Sequence, residues 1–396
     1  MFHHLDSNLP RQPAYQSRRG ALYTVLFLAG MILAGCAGPG LNLRGVSPDL
    51  NAQDYVTGMD FLNQGAFASA DSVFRQILAR DSLAANALAG SGVAQGHLGG
   101  VVIGKLAVDK AVLLKPDDPA IRTLHGRFWL VYPDRAGWVR NALEDFNQAL
   151  VMDPEWSMAR YFQGEAHYRL YEYEQAEQAF SALQDDESEW GGLARVRLSD
   201  VKRILMAEPR TDQGRRAGFM QLMTRGGWAN LLLEELRADE LVLPAVILTD
   251  TLGIYPPGGM VTAVETPQDV MGHWAEASIA AAITLGLMVT DLSDNFNPDL
   301  PLTRWEVATN FERFLVRVTG DPTLETRYVD DASSRFTDVD FTNMHYNAFA
   351  LSVDYGILLP DSNTRRIRPM APVSGVEALE ITHAMRRAAE RIRLPQ

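Results

Sequence analysis

Thiols are nearly absent from this chain. Cys36 is the only cysteine among 396 residues, which excludes an internal disulfide and a thiolate metal cluster. Basic charge is also short: 36 Lys and Arg stand against 49 Asp and Glu, for a formal net charge of −13. Residues 1–35 hold three Arg and one Asp, so the part from Cys36 onward is nearer −15. That balance argues against a nucleic-acid partner, which needs a basic footprint, and against broad adhesion to an anionic lipid surface. After Cys36 no apolar run reaches the roughly 20 residues that span a bilayer.

Reaction signatures are missing too. There is no His-Glu-x-x-His, no Gly-x-Ser-x-Gly and no phosphate loop, and the eight His are scattered. Gly90-Ser91-Gly92-Val93-Ala94-Gln95-Gly96 has neither the spacing nor the preceding strand of a dinucleotide motif. Asp291-Leu292-Ser293-Asp294-Asn295 lacks the sixth-position Gly and distal Glu of a calcium loop, and reads as a turn. The expectation is a binding protein, not an enzyme, with no cofactor and no metal.

What is present begins at the N-terminus. Arg18-Arg19 precede an apolar run from Ala21 to Leu33, and Ala34-Gly35 lead into Cys36. Basic, apolar, then small is the order of a secretory signal peptide. Leu33-Ala34-Gly35-Cys36 resembles the bacterial lipobox. The resemblance implies that residues 1–35 are removed and that Cys36 takes lipid and anchors the protein to a membrane. By resemblance to Gram-negative sorting signals, Ala37 implies the outer membrane, facing the periplasm. Residues 36–51, with Gly38-Pro39-Gly40, read as a tether.

The first half repeats. Gly58, Gly92 and Gly126 are 34 residues apart, and Gly164 follows after 38, which places a four-residue insertion near Tyr132-Pro133-Asp134-Arg135. The same frame holds Ala70/Phe74, Ala142/Phe146 and Ala176/Phe180, with turn residues at Ser82, Pro116, Pro154 and Ser188. The second unit is degenerate, with Gly104 and Val108 at the Ala and Phe positions. This period resembles the tetratricopeptide repeat. Small residues let paired helices approach, and the Phe fills the gap to the next pair. The resemblance implies a solenoid of helical hairpins over 52–206, closed by a solvent-facing cap helix at 191–206. A concave groove would bind an unidentified protein through exposed Tyr55, Met59, Arg127, Tyr161, Glu165 and Tyr168, since Tyr and Arg are frequent anchors.

The second half repeats differently. Asp269-Val270, His273-Trp274-Ala275, Gly286-Leu287-Met288, Asp291, Phe296, Pro298 and Thr303-Arg304-Trp305-Glu306 return as Asp338-Val339, Asn343-Met344, Gly356-Ile357-Leu358, Asp361, Ile367, Pro369 and Ser374-Gly375-Val376-Glu377. Gly286/Gly356 and Asp291/Asp361 are offset by 70, and the prolines, Thr/Ser and Glu by 71 after one inserted loop residue. The order resembles the S-layer homology motif. A partial third copy starts at Thr224-Arg225, so three helices beginning near Thr224, Thr303 and Ser374 are expected to form a pseudo-threefold bundle.

Thr303/Glu306 and Ser374/Glu377 have the spacing of capping boxes. Arg304 is different, because a cation is disfavoured at a positive helix end unless an anion sits there too. The resemblance supplies one: the family binds wall glycans, often with a pyruvyl carboxylate. It implies glycan contacts at Arg225 and Arg304, with Thr224, Trp274, Gly286, Thr303, Glu306, Gly356, Ser374 and Glu377 completing the pockets.

The expected fold is all-α: a tetratricopeptide solenoid, a hinge at 207–214, then a mostly helical domain over 215–396 with copies at 215–240, 266–318 and 335–392. The expected function is an outer-membrane lipoprotein that tethers the membrane to peptidoglycan or a secondary wall polymer, while the groove recruits a protein. The alternative is an assembly or secretion factor of pilotin type.

Overall fold

A computed structural model of the chain describes residues 50–132, 136–242 and 266–393. The expected signal peptide, Cys36 and nearly all of the tether lie outside the described residues, as do Pro133-Asp134-Arg135. The chain divides into residues 1–53 and a compact body of 54–396. All described elements are helical, apart from two isolated β-bridges. No described helix is long and apolar enough to cross a membrane.

Four antiparallel hairpins come first: α1 (Leu50–Asn63) with α2 (Phe67–Arg80), α3 (Ala85–His97) with α4 (Val101–Leu114), α5 (Pro119–Trp129) with α6 (Ala136–Met152), and α7 (Ser157–Arg169) with α8 (Tyr173–Ser181). The periodic glycines are contact points for phenylalanine. A Cβ on Gly58 would stand 2.6 Å from the Phe74 ring, and one on Gly126 or Gly164 would stand 2.5 Å from Phe146 or Phe180. All three rings are fully buried. The degenerate second unit substitutes backbone contact for the missing ring: a Cβ on Gly92 would meet Val108 at 2.6 Å and the Gly104 carbonyl at 2.7 Å. Asp118 caps α5 by accepting from the Ala120 and Ile121 amides, with Pro119 at the first helical position, where no amide is needed.

Helix α9 (Glu189–Met206) is not solvent-facing. Trp190 packs on Tyr161 and Phe162, and Ala194, Leu198, Val201 and Ile204 are buried. Its far end meets the last helix of the chain, where Arg203 grips Glu380 through two bonds of 2.8 and 2.6 Å.

Residues 207–214, expected to be a hinge, are instead packed. The Glu235 carboxylate takes the Arg210 amide at 2.9 Å and the Thr211 amide at 3.0 Å. Tyr173 donates to the Arg215 carbonyl at 2.5 Å and Tyr168 to that of Gly218 at 3.2 Å. Polar composition suggested a free linker, but the Arg210 and Thr211 amides meet a buried carboxylate 25 and 24 residues on. One hydrophobic core therefore runs from Tyr161 to Ala389.

The second half contains α10 (Asp212–Phe219), α11 (Arg225–Asn230) continued by a π-helical turn over Leu231–Glu235, α12 (Ala238–Leu241), α13 (Glu276–Thr284), α14 (Arg304–Thr319), α15 (Tyr346–Asp354) and α16 (Gly375–Arg393). Helix α13 packs on α11 and α15 on α14, while α10 and α9 together pack on α16. The place that α13 and α15 take on α11 and α14 is thus filled on α16 by α9 and α10.

Candidate functional site

Three short extended segments meet where α11, α14 and α16 begin. The Met223 amide donates to the Val373 carbonyl at 2.8 Å, Val373 to Leu302 at 2.9 Å, and Leu302 back to Met223 at 2.8 Å. The three bonds close a ring, and its three side chains are fully buried. Around it the amides of Arg225, Arg304 and Gly375 donate to the carbonyls of Leu300, Ala371 and Met220 at 3.0, 3.1 and 2.9 Å. The pseudo-threefold expected from Thr224, Thr303 and Ser374 has this physical form.

The arginines lie in the seams between copies. Arg225 Nε donates to the Phe296 carbonyl at 2.7 Å, Nη2 to that of Val289 at 3.0 Å, and Nη1 pairs with Glu306. Arg304 repeats this one copy on: Nε to Ile367 at 2.8 Å, Nη2 to Leu359 at 2.9 Å, and Nη1 to Glu377. Both side chains are 14% exposed. The anion that accounts for an arginine at each helix start is therefore the N3 carboxylate of the following copy. This corrects the expectation that a ligand must supply it.

Capping follows the same logic. The second oxygen of buried Glu306 takes the Thr303 amide at 2.9 Å and hydroxyl at 2.7 Å. Thr224 Oγ1 accepts from the Gly227 amide at 3.0 Å and Ser374 Oγ from Glu377 at 3.2 Å. The aspartates of the Asp-Val pairs hold the Phe-x-Pro loops: Asp269 accepts from the Phe296 and Asn297 amides at 3.0 and 2.5 Å, and Asp338 from Ile367 and Arg368 at 2.9 and 2.8 Å. Neither role is among the sequence-based expectations, although each Asp-Val pair stands 27 or 29 residues before its loop. Asp291 accepts from Ser293, Asn295 and the Asn297 side chain. Those bonds, that of Asn297 foremost, hold its carboxyl below the usual range.

Gly286 and Gly356 stand apart from this ring of contacts. Each ends a helix with positive φ, +68° and +70°, a backbone state that favours glycine. Trp274 is 49% exposed and tilts on His273 at 5.5 Å between centroids. A Cβ on Gly226 would touch the same His273, so this indole flanks the Arg225 seam.

The expected protein groove is largely filled. Arg127, Tyr161, Glu165 and Tyr168 are buried, and Tyr55 and Met59 are half-buried. Arg127 donates to Asn63 at 3.0 Å and lies 4.6 Å over the Phe162 ring. Burial pushes its pKa down to about 10. Asn63 in turn donates to Glu189 at 2.9 Å, and Arg197 bonds Glu165 at 2.6 Å. The concave face closes because α9 lies across it and pairs with residues that a longer array would leave open.

Residues 269–308 match the family model of the S-layer homology domain. A comparison with curated proteins found no match. Among solved structures, a thermophilic tetratricopeptide protein of Thermus thermophilus is 17% identical, over 46% of this chain and 90% of its own, with a TM-score of 0.35. PilW, a type IV pilus biogenesis factor, is 17% identical over 52% and 88%, with a TM-score of 0.32. A tetratricopeptide protein from Parabacteroides merdae is 16% identical over 67% and 86%, with a TM-score of 0.27. The match to the S-layer homology model thus falls on residues 269–308, behind an all-helical array of hairpins.

Proposed function

We propose that this protein is a lipoprotein of the outer membrane that tethers it non-covalently to peptidoglycan or a wall-linked anionic glycan. An S-layer homology domain indicates association with the cell envelope, and tetratricopeptide hairpins indicate interaction with protein. The match at 269–308, whose arginine seam is repeated one copy on, carries the reading. Its mechanism is binding alone. Arg225 and Arg304 shape the seams, and the ligand face is the outer edge beside them. There the half-exposed indole of Trp274 offers a sugar-stacking surface next to His273. The six residues expected for the groove are engaged internally, so a protein partner is expected on the outer surface of the array.

The test is co-sedimentation of the folded protein with purified sacculi, intact or stripped of attached polymer. Binding should weaken by about tenfold in Trp274→Ala, the loss of one stacking contact worth about 1 kcal/mol or more. The melting temperature should hold, because the indole is half in water. Failure of the folded wild type to bind sacculi of its own host would sink the tether.

A further inference from the structure

Helix α4 is the outward helix of the degenerate repeat, and it carries an unpartnered apolar stripe. Val102, Ile103, Leu106 and Leu113 are 72, 63, 66 and 82% exposed. At 100° per residue, Val102, Leu106 and Leu113 fall within about 40° of one another. Three of the chain's four lysines lie on this helix or at its end: Lys105, Lys110 and Lys115. Lys105 pairs with Asp109 at 2.6 Å and Lys115 stands 4.0 Å from Asp118, which leaves Lys110 as the ammonium this stripe can offer. Lys110 stands within the stripe and is exposed.

We propose that α4 docks on a lipid bilayer surface, its leucines entering the boundary between headgroups and acyl chains and Lys110 meeting an anionic headgroup. An exposed apolar helical face with lysines beside it is the pattern of an interfacial helix. Lys110 would keep its ammonium at headgroup level while its stem lies along the apolar surface. A second copy fits this face poorly. A two-fold contact would bring Lys110 and its neighbours against their own counterparts, where like charges repel. The proposal rests on the lipid-anchor reading of Cys36. Only thirteen residues separate Cys36 from Leu50, at most about 50 Å of chain, so an anchored body stays within reach of the surface. Bulk acidity disfavours general adhesion to anionic lipid, so the apolar stripe drives the docking and Lys110 adds the local charge.

The test uses the full chain, processed in a bacterial host and reconstituted in vesicles of phosphatidylethanolamine and phosphatidylglycerol. Flotation reads the anchor. A polarity-sensitive fluorophore on Leu106→Cys or Leu113→Cys, with a quencher carried by the lipids, reads α4. Val196→Cys, exposed on α9, is the control. Quenching is expected at 106 and 113 and not at 196. With the probe at 113, Leu106→Glu should lower the docked fraction by about tenfold. Lys110→Glu, which disturbs no packing, should lower it in anionic vesicles only. A chain that floats with 106 and 113 no more quenched than 196 overturns the proposal and leaves the anchor standing. A chain that does not float overturns both. A blue shift that follows protein concentration without lipid quenching would mean that another copy or protein covers α4, which also overturns it.

Discussion

Arg304 reads as a ligand contact only while its neighbours are unknown. Its three nitrogens meet two carbonyls and the Glu377 carboxylate, so the guanidinium is committed to the seam. Arg304→Ala is expected to cost about 2–4 kcal/mol, since it strands a partly buried carboxylate and two carbonyls. The upper part of that range suits a more buried pair, and Glu377 is 25% exposed. Chemical denaturation of the single variants and of the double variant with Glu377→Ala should give a coupling of about 1–2 kcal/mol. If Arg304→Ala melts like the wild type but loses glycan, the guanidinium is a ligand after all.

Between elements, the third seam explains an absence. Arg225 needs Glu306 and Arg304 needs Glu377, one copy on. The next pair in the cycle would be residue 375 with residue 227, and both are glycine. At residue 375 the end of helix α10 fills the space an arginine would need. The Gly375 amide donates to the Met220 carbonyl at 2.9 Å, and a Cβ on Gly375 would overlap the Ala217 carbonyl oxygen. Gly375→Ala should therefore destabilise by about 2 kcal/mol or more, although alanine is the better helix former. Thermal unfolding checks the sign: a gain in melting temperature would mean that α10 does not press on α16.

At the scale of the whole body, array and S-layer homology region share a core. Arg386 reaches Glu235 at 2.7 Å with both nearly buried, and Glu235 also holds the 210–211 amides. Heating should give one cooperative transition, with helical circular dichroism and tryptophan fluorescence changing together. Trp138 and Trp190 report the array and Trp228 and Trp305 the other half, so both regions contribute to the signal. Two separated transitions would mean that the junction is weaker than its contacts imply. Glu235→Ala should lower the midpoint for both halves, because it frees two buried amides and Arg386 at once.

Periodic features were legible in the sequence because they are local or repeated. Gly58, Gly92, Gly126 and Gly164 mark the hairpins, since one small residue per unit must admit a neighbouring helix. The 70-residue offset marks two homology copies, since the same turn needs Gly286 and Gly356, and the same loop needs an Asp-Val aspartate in each, Asp269 and Asp338. What those residues meet was not legible. Arg225 and Arg304 carry the same local pattern whether the anion above them is a sugar acid or Glu306 and Glu377, and only the arrangement of copies around the Met223–Leu302–Val373 ring distinguishes the two. Tyr161, Glu165 and Tyr168 occupy open-groove positions in any single repeat, and it took α9 lying across a short array to bury them. Residues 207–214 are polar in composition, as a hinge would be, yet the Arg210 and Thr211 amides belong to Glu235. Sequence by itself determined the repeats, the helix caps and the turns, which depend on neighbours a few residues away. Tertiary structure decided which polar groups remain available for a ligand, because that depends on partners 63 to 151 residues distant.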